Sequence, residues 1–126
     1  MEKLIPEIFI EGLHFSPRKL RELIPALQMR LITEKGDLGK SGRSYSSGSC
    51  ILTPPEKLGN DEAVDLVICW YEEIQNYGQA ALRIEKLTFN LYVDDVAQSN
   101  FTISSRNLKK IADFFEKINF IVLERP

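Results

Sequence analysis

The chain has 126 residues, of which 44% are hydrophobic and 27% charged, with a formal net charge of −2. This is the size and composition of one globular domain with its own core, and it excludes a disordered chain. The slight acidic balance argues against a dedicated nucleic-acid binder, which carries a clear basic excess.

The opening stretch carries Glu2, Glu7 and Glu11 and no apolar run of signal-peptide length. The longest apolar run, 66–71, has six residues, whereas a membrane-spanning helix needs about 20. A cytoplasmic protein without a membrane partner is the expectation. Cys50 and Cys69 are then expected to be reduced and unbridged. With the lone His14 they do not make the paired ligand set of a zinc site.

Segment 4–10 is rich in Ile and reads as a strand, with Pro6 near its start. Ser16 suits a helix N-cap and Pro17 the first helical position. Leu20, Leu23, Ile24 and Leu27 follow at helical spacing, and Pro25 ends or kinks the helix near Ile24. Segment 27–33 reads as a strand with Met29 and Leu31 on one face. Residues 34–49 hold Gly36, Gly39, Gly42 and Gly48 and read as a long flexible loop, with a strand start near 43–45. Segment 50–52 is a buried strand end stopped by Pro54 and Pro55.

A second helix is predicted over 60–77, capped by Asn60, opened by Asp61 and Glu62, and closed by Gly78. Leu87, Phe89, Leu91 and Val93 then alternate as one face of a strand. They are out of phase with Leu82 and Ile84, so a bulge or break is expected near Glu85 and Lys86. A short partner strand at Phe101 and Ile103 follows. Ser104 or Ser105 caps a third helix whose expected apolar face is Leu108, Ile111, Ala112, Phe115 and Ile118, and 120–123 forms the last strand. The fold class is α+β, in the order β-α-β-β-α-β-β-α-β, with about three helices on a mostly antiparallel or mixed sheet. The segments starting at Phe15 and Ile103 echo each other: each has a capping Ser, an Arg two places on and a Leu four places on.

No catalytic constellation emerges, and neither a metal nor a cofactor is expected. Gly39-Lys40-Ser41 looks like the end of a phosphate-binding loop, but the first glycine of that motif falls on Glu34, and Gly36 makes the loop two residues too short. Asp94 and Asp95 are adjacent and point apart, which suits a turn. Basic residues crowd two helix starts: Arg18, Lys19 and Arg21, and Arg106, Lys109 and Lys110. They oppose the helix dipole and suggest an anion.

The middle helix carries the most information. Asp61, Glu62, Asp65, Glu72 and Glu73 fall on one arc with Cys69 and Asn76, and Val67, Trp70 and Ile74 fall on the other. No Lys or Arg occurs between Lys57 and Arg83. An all-acid stripe forgoes the gain of opposite charges at i,i+4. A basic partner docked on it explains that choice. The mobile loop's Lys35, Lys40 and Arg43 are a secondary contact.

The strand, Phe15-Ser16-Pro17 and helix, with Lys35-Gly36-Asp37, Gly42-Arg43-Ser44-Tyr45, Ser49-Cys50-Ile51-Leu52 and the ending from Ile103 to Leu108, resemble a bacterial α+β domain family of unknown function. That family includes proteins regarded as immunity proteins of polymorphic toxin and contact-dependent inhibition systems. The resemblance implies no catalytic residues. It implies a non-enzymatic binding protein that neutralises a cognate toxin with a basic surface by occlusion. The alternative is a small anion- or nucleotide-binding domain using the basic helix starts and the Gly/Ser loop.

Overall fold

A computed structural model describes residues 3–94, 104–114 and 118–123. Its elements are β1 (Lys3–Gly12), α1 (Pro17–Leu23), β2 (Met29–Thr33), β3 (Gly48–Leu52), α2 (Asn60–Tyr77), β4 (Lys86–Asp94), α3 (Ser105–Phe114) and β5 (Ile118–Leu123). The class is α+β. The expected strand at Phe101 and Ile103 lies outside the described residues.

The five strands form one sheet in the order β2-β3-β1-β4-β5. β1 runs antiparallel to β3 and β4, β2 antiparallel to β3, and β4 parallel to β5. β1 and β2 therefore point the same way with β3 between them. The sequence echo thus marks two β-α-β units with parallel strands, one split by an inserted strand and one with its strands adjacent.

All three helices lie on one face of this sheet. Leu4, Ile8 and Ile10 of β1, Cys50 and Leu52 of β3, and Phe89 and Leu91 of β4 share a core with Leu20 of α1, Val67, Trp70 and Ile74 of α2, and Ile111 of α3. The even positions of β1 pair with the odd positions of β4, so strand alternation places all of them on the helix side. Ser16 caps α1, its hydroxyl accepting from the Lys19 amide at 3.3 Å, and Ile24 before Pro25 leaves the helical region.

Local signals misplace three details. Gly59, not Asn60, is the N-cap of α2. The Asn60 side chain instead accepts from the Leu4 amide at 2.9 Å, stitching the helix start to β1. In β2 the register shifts between Arg30 and Thr33, and Leu31 has a φ of +51°. That bulge turns Leu31 outward to 67% exposure, away from the core that Met29 packs against. The expected break near Glu85 and Lys86 is present: a turn over 78–84, with Arg83 at a φ of +60°, precedes β4, which begins at Lys86. On α3, Asn107 and Ile111 face inward while Leu108 is 46% exposed and Ala112 exposed. Phe115 lies outside the described residues, and Ile118 begins β5.

The 34–49 loop is more ordered than its composition suggests. Leu38 and Ser44 form an antiparallel bridge, with Gly36 donating to Tyr45, Tyr45 to Asp37, and Gly39 to Arg43. It folds back as a small hairpin, and β3 already starts at Gly48.

Two close backbone approaches lock the ends of the α1 segment. A Cβ on Gly12 would meet the carbonyl oxygen of Arg83, and one on Gly48 the carbonyl oxygen of Phe15. Glycine is the residue that permits both approaches.

Candidate partner-binding surface

α2 presents its polar arc to solvent. Asp61, Glu62, Cys69, Glu72, Glu73 and Asn76 are exposed and Asp65 is half-exposed, while Val64, Val67, Ile68, Trp70 and Ile74 are buried. Helical periodicity produces this split, and β1 supplies the apolar wall opposite.

The five acids do not act alike. Asp61 Oδ1 accepts from the Ser104 amide and from Asn107 Nδ2, both at 3.1 Å. These bonds hold its carboxyl below the usual range, the Ser104 amide being the main cause. Asp65 pairs with Arg106 at 3.4 Å. Both aspartates therefore tie α2 to the start of α3. Glu62, Glu72 and Glu73 have no ion pair among the described residues. The sequence-predicted stripe thus divides into an internal latch and three free glutamates, with Cys69 among them.

The latch also accounts for one basic helix start. Ser104 caps α3, its hydroxyl accepting from the Asn107 amide at 3.2 Å, and the anion over that end is Asp61. The other start is satisfied the same way. Glu34 Oε1 accepts from the Arg18 amide at 2.8 Å and from the Ser16 hydroxyl at 3.0 Å. Asp37 holds Glu34 in place by accepting from its amide at 2.8 Å. Lys35-Gly36-Asp37 is thus a turn that aims Glu34 at α1.

Lys35, Lys40 and Arg43 are exposed on the hairpin, beside exposed Leu38 and Tyr45. Gly39-Lys40-Ser41 forms its tip, and no helix follows it.

Sequence reasoning missed the ion pair of Glu7 and Arg30. Glu7 is only 3% exposed and accepts from Arg30 Nη2 at 2.7 Å and Arg30 Nε at 3.0 Å. The Glu7 contact is the main cause that raises the guanidinium's pKa. The pair spans β3 to tie edge strand β2 to β1, and it lines a cleft of about 490 Å³ with Thr53, Pro54 and Leu58. An acid within an apolar strand was the available signal, because a carboxylate is rarely buried unpaired.

Among the described residues no group of three His, Cys, Asp or Glu could hold a metal ion. No described helix is long and apolar enough to cross a membrane. Cys50 and Cys69 are free thiols, and burial pushes Cys50 up to about 12. Comparison with protein-family models, curated proteins and solved structures finds no match.

Proposed function

We propose that the protein is a non-enzymatic, cytoplasmic binding protein that docks a basic protein surface on the outer face of α2. One observation carries this reading: Glu62, Glu72 and Glu73 are exposed along that face without a basic partner among the described residues. Such a face attracts a cationic surface over about a Debye length and raises the encounter rate. The resemblance to the immunity-protein family makes a cognate toxin domain the partner, occluded rather than chemically altered. Asp61 and Asp65 contribute to the same field while holding α3. Lys35, Lys40 and Arg43 form a secondary contact on the hairpin.

The same geometry argues against an anion seated on the two helix N-termini themselves. Each basic helix start already receives a carboxylate from within the chain, Glu34 for α1 and Asp61 for α3.

The test is to look for a toxin domain encoded by a neighbouring gene and to measure its affinity for this chain over a range of salt concentrations; the absence of any binding would overturn the toxin reading. Reversing Glu62, Glu72 and Glu73 to Lys together is expected to weaken binding by about tenfold or more and to flatten its salt dependence, mostly through slower association. Unchanged affinity and unchanged salt slope would move the interface to the 34–49 hairpin.

A further inference from the structure

A second cleft, of about 390 Å³, lies between α1 and the turn that precedes β4. Its ionisable lining is His14, Lys19 and Arg83, with no acid among the lining residues. Leu23 and Leu82 supply apolar surface beside them. The three polar groups come from three separate segments: the turn after β1, α1 itself, and the 78–84 turn. None of them forms an ion pair among the described residues. Two nearby carboxylates direct an oxygen to neutral donors rather than to these cations, Glu34 to the Ser16 hydroxyl and the Arg18 amide, and Glu85 to the Leu13 amide at 2.6 Å.

Two cations and an imidazole are thus gathered at one cleft without a carboxylate among its lining residues to pair with them directly. The backbone is strained at the same place. Arg83 holds a φ of +60°, which a residue with a Cβ adopts rarely. Contact between its carbonyl and Gly12 helps fix its place. Strain and unpaired charge thus meet at one cleft, and strained residues collect at binding sites.

We propose that this cleft binds a small organic phosphate monoester. A phosphate dianion offers three acceptor oxygens to donors arriving from three directions, and an arginine fork grips two of them at once. A carboxylate offers only two. The apolar wall of Leu23 and Leu82 takes the organic body, and the volume falls in the range of small-ligand pockets. The site is separate from the α2 face and does not depend on the toxin reading.

Phenyl phosphate is the probe, titrated into the isotope-labelled full chain and followed by amide and side-chain NMR. Inorganic phosphate, benzoate and a phosphoserine tripeptide are the comparators. Saturable shifts confined to residues 12–20 and 80–84, with tighter binding than any comparator, are expected. Lys19→Gln with Arg83→Gln is expected to weaken binding by about tenfold or more, as loss of charge-assisted contacts implies. Lys57→Gln with Lys109→Gln, both exposed and away from the cleft, is expected to leave it unchanged. Since Arg83 sits in a strained turn, His14→Gln with Lys19→Gln repeats the test on exposed side chains if the first pair lowers the melting temperature. Shifts spread over every basic residue, binding that survives these substitutions, or benzoate binding as well as phenyl phosphate would overturn the site. Tighter binding of the tripeptide would overturn the small-molecule assignment.

Discussion

Asp61 Oδ1 and the backbone amide of Ser104 are 3.1 Å apart, so the first turn of α2 supplies the anion for the first turn of α3. Asn107, fully buried, donates to the same oxygen, and its own Oδ1 has no partner among the described residues. One exposed aspartate therefore sets the rotation of α3, bringing Asn107 and Ile111 inward and leaving Leu108 out. The amphipathic pattern alone also turns Ile111 inward but favours Leu108 over Asn107 beside it.

Asp61→Ala is expected to lower the melting temperature more than Glu72→Ala or Glu73→Ala. The glutamate changes should stay within about 0.5 kcal/mol, as ordinary surface substitutions do. Asp61→Ala leaves the buried Asn107 amide short of its acceptor. Asn107→Ala itself should cost about 1–2 kcal/mol through its lost hydrogen bonds. Chemical denaturation of the four variants checks the order.

The same bond has a pH signature. The carboxyl of Asp61 is lowered on folding, so the unfolded chain binds its proton more tightly. Its stabilisation is present above the unfolded value of about 3.9 and is lost as pH falls through the lower folded value. Melting temperature measured from pH 5 downward should fall less steeply in Asp61→Asn than in the parent chain. Parallel slopes would show that the latch does not titrate.

Glu7 and Arg30 should behave as a unit. Arg30→Ala strands a buried carboxylate and is expected to cost about 1–3 kcal/mol. Replacing both, Glu7→Leu with Arg30→Met, removes the stranded charge and should recover most of that loss. Urea denaturation of the single and double variants reads the difference. A double variant as unstable as the single one would mean that the pair contributes more than mutual neutralisation.

Trp70, 4% exposed on the inner arc of α2, is expected to cost about 3–5 kcal/mol on replacement by Ala, through the cavity left against the sheet. Its effect on partner affinity should follow only from the fraction unfolded. A loss of affinity at full folding would make Trp70 part of the interface.

The two thiols should separate by reactivity. Cys69 is exposed and should alkylate promptly at neutral pH, whereas Cys50 is fully buried with its thiol pushed up to about 12. Mass spectrometry after a brief pulse of alkylating reagent should find one label in the native chain and two in denaturant.

The element order was legible because its signals are local. Ser16-Pro17 starts α1 by cap geometry and fixed φ, and Pro25 stops it. The 3.6-residue spacing of Val67, Trp70 and Ile74 marks both the extent and the buried side of α2. Alternation from Leu87 to Leu91 marks the inner face of β4. These depend on residues within a few positions of one another.

What escaped the sequence lies in contacts between distant segments. Nothing near Glu34 says that its carboxylate will cap a helix sixteen residues earlier, and nothing near Asp61 points forty-three residues ahead to Ser104. Both pairings arise because the sheet order brings those segments together. The same folding divides one acidic stripe into two aspartates held by α3 and three free glutamates. It also gathers His14, Lys19 and Arg83 around one cleft. The sequence by itself determined which residues are charged, which are apolar and where helices and strands form, because period and capping are local. Only the tertiary structure decided which charges neutralise one another, because a charge's partner is set by distance in space.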